Sequence, residues 1–135
     1  NLCPSDHLWD YSLHWIQKVI ENIPSELAII VYANASEDRL CEIKKTGTRA
    51  LGVHHSTDLT EVRRRLPAPL VLQGNLAPEL METNASQVTH ETNRILDSMR
   101  NDPAHIMNLG HGIRPNAKIE CMHALVDSVL TYGNC

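Results

Sequence analysis

The sequence predicts an α/β fold: four parallel strands, each followed by a helix, after one leading helix. Short apolar runs of strand length alternate with longer stretches whose apolar residues recur every three or four positions. Alternation on this scale requires parallel strands joined by helical crossovers. The first run, Leu27 to Ala33, is continuously apolar and rich in β-branched residues, the pattern of a strand covered on both faces.

The leading helix begins at Ser5, and Trp9, Leu13, Ile16, Ile20 and Ile23 form one stripe that stops before Pro24. The strand Leu27 to Ala33 follows. Ser36 can cap the next helix, Glu37 and Asp38 complement its N-terminus, and Leu40 and Ile43 mark its buried face. Lys44, Lys45 and Gly47 close it. The pattern then repeats three times: strand Ala50 to His54 with helix Asp58 to Leu66, strand Leu70 to Gln73 with helix Ser86 to Met99, and strand His105 to Leu109 with helix Lys118 to Leu130. Two architectures accommodate these units, an open doubly wound sheet and part of a (β/α)8 barrel.

Composition bounds the function. The 135 residues are 42% hydrophobic and 21% charged, enough for one domain at most, and no run approaches the length of a membrane span. A net charge of -4 argues against nucleic acid, since the one basic cluster, Arg63, Arg64 and Arg65, reads as solvated helix surface. Cys3, Cys41, Cys121 and Cys135 form no C-x-x-C pair, so they read as reduced thiols of a cytoplasmic protein. Two N-x-S sequons, at Asn34 and Asn84, lie where helices open, and chance accounts for them. The chain starts at Asn1 rather than Met, which reads as a cut or processed end.

In both architectures chemistry gathers at the C-terminal ends of the strands. The exits here carry Tyr32, Asn34 and Ser36; His54, His55 and Ser56; Gln73, Gly74 and Asn75; and Asn108, Gly110, His111 and Gly112. Asn34 and Ser36 are sufficiently explained as turn and cap. His54 and His55, adjacent on a strand end, are expected to point to opposite faces, which removes them as a pair of ligands to one metal. His54 remains a candidate. The amides of Gln73 and Asn75 flank a glycine that lets the backbone approach a ligand. His111 is the sharpest signal: a ring between two glycines has little packing reason to be there, and imidazole can bind a carboxylate or move a proton near neutral pH.

Leu72-Gln73-Gly74-Asn75-Leu76, followed by His105-Ile106-Met107-Asn108-Leu109-Gly110-His111-Gly112-Ile113 and Pro115, resembles the C-terminal region of the uroporphyrinogen decarboxylase family. Leu51-Gly52-Val53 and Asp58-Leu59 fall where that family has its preceding strand and helix. The resemblance implies a (β/α)8 barrel, of which residues 1–135 would be the C-terminal half of a single domain. It implies removal of the four acetate carboxyl groups of uroporphyrinogen to give coproporphyrinogen in haem biosynthesis, with no cofactor and no metal. It also implies a homodimer in the cytoplasm, without nucleic-acid or membrane partners. The family's Asp for the pyrrole N–H groups and its Arg residues for carboxylates would lie in the missing N-terminal barrel half, so of its active-site set only the Gly-His-Gly histidine carries over, onto His111. Gln73, Asn75, Asn108 and His54 are the expected substrate-binding residues. Two departures stand out: the family's Gly-Asn-Leu-Asp-Pro has Ala77 in place of Asp, and its Asp-Trp is replaced by His54-His55.

Two alternatives remain at this stage. A cobalamin-linked methyltransferase of the same superfamily would need a His/Cys zinc site, and no Cys falls on a strand exit. A non-catalytic half-barrel would leave two strand edges open to another chain.

Overall fold

The computed structural model describes residues 7–34 and 37–132. The cap expected at Ser36, the helix start at Ser5, and Cys3 and Cys135 lie outside the described residues. A π-helical turn, Trp9–Leu13, leads into α1, His14–Glu21. Then follow β1 (Ile30–Tyr32), α2 (Glu37–Lys44), β2 (Ala50–Gly52), α3 (Leu59–Arg65), β3 (Val71–Gln73), α4 (Ala85–Ser98), β4 (His105–Ile106) and α5 (Ile119–Tyr132). A 3-10 turn that the sequence did not announce, Pro78–Glu82, lies between β3 and α4.

The four strands are all parallel and lie in the order β1-β2-β3-β4. An open doubly wound sheet reverses its strand order at a switch point, and this sheet has no reversal. Sequential order with right-handed crossovers puts every helix on one face, which is the arrangement of part of a (β/α)8 barrel. The register confirms the two faces. Val31, Leu51 and Leu72 align toward the helices, and Leu51 and Leu72 are wholly buried. There they meet Leu40 and Ile43 of α2, Leu59 and Val62 of α3, Val88 and Ile95 of α4, and Cys121 and Leu125 of α5.

Tyr32, Gly52, Gln73 and Ile106 align on the other, concave face. This corrects one expectation from the sequence. β1 is covered on one face only: Ile30 is 42% exposed and Tyr32 45%, because among the described residues no further layer lies opposite the concave side. The strands are also shorter than the apolar runs. Leu27 to Ile29 precede the register with β2, and after Ile106 pairing resumes only as a single bridge between Leu76 and Leu109.

Local chemistry explains the helix limits. Asp58 caps α3 by accepting from Thr60 N (2.8 Å) and Glu61 N (3.3 Å). Asn84 caps α4 through Gln87 N at 3.0 Å, which gives the second sequon a structural role. Ala77 precedes the 3-10 turn without a side-chain cap, as its methyl requires. Gly47 ends α2 at φ 90°, a conformation that side-chain-bearing residues rarely adopt. Of the leading stripe Leu13 is buried and Ile16, Ile20 and Ile23 half-buried, while Trp9 stands at the margin, 38% exposed.

The basic cluster divides. Arg64 and Arg65 are exposed and pair with Glu61 and Asp38. Arg63, expected on solvated surface, is instead tied into the base of the sheet. Its Nε donates to Asp102 Oδ2 at 2.6 Å, and its guanidinium nitrogens donate to the carbonyls of Leu66, Leu70 and Ala104. A planar guanidinium with five donors is the side chain able to gather these strand and helix ends at once.

Candidate functional site

The concave face ends in a mouth formed by the four strand exits. Tyr32, on β1, lies across Gly52: a Cβ added at Gly52 would sit 2.8 Å from Tyr32 Cδ2. The ring therefore spans β2, and its hydroxyl donates to the Gly110 carbonyl at 3.2 Å, beyond β4. Gly110 is itself pressed against the β2 exit, where an added Cβ would come within 2.3 Å of His55 N. The exits of β1, β2 and β4 are thus held together around the loop that carries His111.

Three imidazoles meet there. The rings of His54 and His55 have centroids 4.1 Å apart, and His54 and His111 are 6.0 Å apart, edge to face. Tyr32 stands 6.0 Å from His111 on another side. The expectation that His54 and His55 point to opposite faces is corrected: β2 stops at Gly52, and the backbone turns back so that Thr57 N bonds His54 O at 3.0 Å. Strand alternation no longer governs these two residues. His54 is fixed by Ser56, whose backbone N–H donates to His54 Nδ1 (3.2 Å) and whose hydroxyl lies 2.8 Å from the same nitrogen. Burial holds the His54 imidazole below its ordinary pKa, helped by repulsion from His55 and His111 and opposed by Glu79.

The other sequence candidates sit around this cluster. Asn75 is buried, and its Nδ2 donates to the carbonyls of His54 (2.9 Å) and Thr57 (2.6 Å), so it secures the turn that presents the histidines. Gln73 is half-buried on the concave face. Asn108 is exposed, with Oδ1 accepting from Leu109 N at 2.8 Å. Arg114, beside the His111 loop, is paired with Glu79 and approaches Glu82 at 3.8 Å. Among the described residues no group of three or more His, Cys, Asp or Glu side chains could hold a metal ion. Sequence reasoning passed over the part played by Tyr32. Its signal was a glycine, Gly52, in an otherwise apolar strand, which marks close approach by another group.

The uroporphyrinogen decarboxylase family model matches residues 1–132, nearly the whole chain. The chain belongs to the uroporphyrinogen decarboxylase family. It is 32% identical over 124 residues to uroporphyrinogen decarboxylase of Paraburkholderia xenovorans, covering 88% of this chain and 34% of that protein. It is 28% identical over 120 residues to that of Protochlamydia amoebophila, covering 89% and 33%. The chain thus spans about a third of the length of these relatives. Among solved structures it is similar to a methyltransferase from Methanosarcina mazei, with a TM-score of 0.81 over 98% of this chain and 39% of that one. At 15% identity this likeness speaks for the fold alone, and 39% coverage fits part of a barrel. In this decarboxylase-family chain, the loop that carries His111 lies at the mouth formed by the four strand exits.

Proposed function

We propose that this chain is the C-terminal half of a uroporphyrinogen decarboxylase barrel. Joined to the remainder, it would act in the removal of the acetate carboxyl groups of uroporphyrinogen to give coproporphyrinogen. The observation that carries the reading is the position of His111. It stands exposed on the concave side of the strand exits, on a loop braced by Tyr32 and His55, within a family of this activity. An imidazole there can hydrogen-bond an acetate carboxylate or assist the proton transfer that replaces lost carbon dioxide. Gln73 shares the concave face with Tyr32 and Gly52, His54 faces His111, and Asn75 holds the turn that presents His54.

Four βα units are half of eight. The exposed Ile30, Tyr32 and Ile106 on the concave face, with open edges at β1 and β4, suit completion by the other barrel half. The reading carries with it a homodimer in the cytoplasm. The zinc-dependent alternative is less well supported: of the described thiols, Cys121 is buried in α5 and Cys41 half-buried in α2, both away from the mouth.

The test is a chimera in which this chain replaces the matching third of the Paraburkholderia xenovorans relative. It should convert uroporphyrinogen to coproporphyrinogen. His111→Asn should leave porphyrinogen binding in place and slow turnover by about a hundredfold. A folded chimera without turnover would overturn the reading, and unchanged turnover in the variant would remove the role given to His111.

A further inference from the structure

The outer side of the helical layer carries a surface that the chemistry at the mouth does not use. α4 and α5 turn Val88, Ile95, Cys121 and Leu125 toward the sheet, and between their outer sides runs a groove of about 950 Å3. Ala85, Thr89, Ala124 and Ser128 are among its lining side chains, and their small size leaves the space between the helices open. Three carboxylates, Asp97, Glu120 and Asp127, line it as well, while no Lys or Arg among the described residues does. We propose that this groove docks a basic amphipathic helix of a partner protein.

The apolar part of the match lies along α5. Ile119, Val126 and Leu130 recur at helical spacing, which sets them on one face of the helix. All three are more than half exposed, Ile119 the most at 74%. Ile119 also lines the groove, so an incoming helix meets apolar surface beside the carboxylates. The negative charge there is uncompensated. Among the described residues the Glu120 and Asp127 carboxylates enter no hydrogen bond or ion pair. Asp97 is engaged at one end, where it accepts from the Tyr132 hydroxyl at 3.0 Å and pairs with Arg100 at 3.1 Å. Lys118, just before α5, donates to the Thr83 carbonyl at 2.6 Å.

Charge and topology choose among the candidate occupants. A second copy brings the same carboxylates and a net charge of -4. Its helices also present no free basic face. Lys18 of α1 pairs with Glu21, and in the arginine run Arg63, Arg64 and Arg65 pair with Asp102, Glu61 and Asp38. The remainder of a barrel would add its strand at the open edge of β4, and so would meet α5 on the flank away from α4. The groove between α4 and α5 stays open beside it. Both helices run 14 residues, about 21 Å, which is room for roughly four turns of a third helix. Leucine-like side chains every three or four positions would rest on Ile119 and the small residues, and flanking lysines or arginines would meet Glu120 and Asp127. The proposal is independent of the decarboxylase reading.

The test is fluorescence anisotropy of a fluorescein-labelled helical peptide of leucine and lysine, about 14 residues long, titrated with the full chain. Saturable binding of one peptide per chain is expected, weakened about tenfold as salt rises from about 50 to about 300 mM. Glu120→Lys with Asp127→Lys should weaken it at least about tenfold, the milder Glu120→Gln with Asp127→Asn about fivefold, and Ile119→Ser about fivefold. Asp10→Lys with Glu26→Lys makes the same change in net charge at exposed positions outside the groove, and should leave the affinity within about twofold. Helical circular dichroism equal to the parent's identifies the folded variants. A version of the peptide with glutamate for lysine should not bind. No saturable binding to the parent chain would overturn the proposal. So would equal weakening by the two lysine double variants, or binding of both peptides, since net charge or apolar surface alone would then account for the affinity. Binding to the chain but not to the folded chimera would overturn it as well, by showing that the barrel remainder covers this face. Binding by a chimera without turnover would leave the docking groove standing and remove the decarboxylase reading alone.

Discussion

Tyr32 and Gly110 are 78 positions apart in the chain, and the phenol of one donates to the carbonyl of the other across the whole width of the mouth. The tyrosine ring reaches so far because Gly52, beneath it, has no side chain to lift it off the sheet. Tyr32→Phe should keep the ring contact and remove only the hydrogen bond. At a half-exposed site the loss in unfolding free energy should fall near the low end of about 0.5–1.5 kcal/mol. Its sharper signature should be in dynamics, as broadened amide resonances over Gly110 to Gly112. A denaturant midpoint and an amide spectrum equal to the parent's would show that the bond does not hold the loop.

Gly110 and Gly52 both lack room for a methyl group, but their neighbours differ. At Gly110 the obstruction is the backbone of His55, with the added Cβ 2.3 Å from its nitrogen and 2.6 Å from its Cα. At Gly52 it is first the Tyr32 ring, which can swing into the open concave side. Gly110→Ala should therefore cost at least about 3 kcal/mol by displacing the exit of β2 or β4, and Gly52→Ala about 1 kcal/mol. Equilibrium urea unfolding of the two variants ranks them. The reverse order would mean that the β2 and β4 exits are not in contact.

These long-range contacts mark where the sequence stopped being informative. The four βα units were legible because each rests on local signals: apolar runs, the helix openings near Asp58 and Asn84, and the helix end at Gly47. His111 was legible as a histidine between two glycines. The convergence of His54 and His55 was not, because strand alternation was extended past Gly52, where the ladder ends and the backbone turns. Arg63 was misplaced for a similar reason. A run of three arginines on a helix has the same appearance whether one of them finds a carboxylate 39 residues away or none does.

Arg63 and Asp102 supply a third prediction, and one about stability alone. The side chains are 18% and 8% exposed, so the pair is largely removed from water, and the guanidinium also satisfies three carbonyls. Breaking such a pair by removing one partner leaves a buried charge and unpaired carbonyls. Arg63→Ala should cost about 3–5 kcal/mol. Arg63→Lys should recover only part of this, since an ammonium cannot reproduce the planar fork. Arg64→Ala and Arg65→Ala, on the exposed side of the same helix, should change stability by less than about 1 kcal/mol. Unfolding curves of the four variants decide it, and equal effects along the run would return Arg63 to the solvated surface.

The histidine cluster predicts a pH dependence of stability whose sign can be worked out. His54 has a folded-state pKa below its ordinary value, mainly through burial and secondarily through His55 and His111. The unfolded chain therefore takes up a proton at His54 at a higher pH than the folded chain does. Where the unfolded state binds more protons, stability rises with pH. The contribution of His54 is thus fully present above its unfolded pKa, about 6.5. It declines as the pH falls from there toward the lower folded value. His54→Gln cannot titrate, so its stability should fall less steeply across that interval than the parent's. Measured as unfolding free energy against pH, identical slopes for parent and variant would mean that the His54 ring is charged as readily in the fold as out of it.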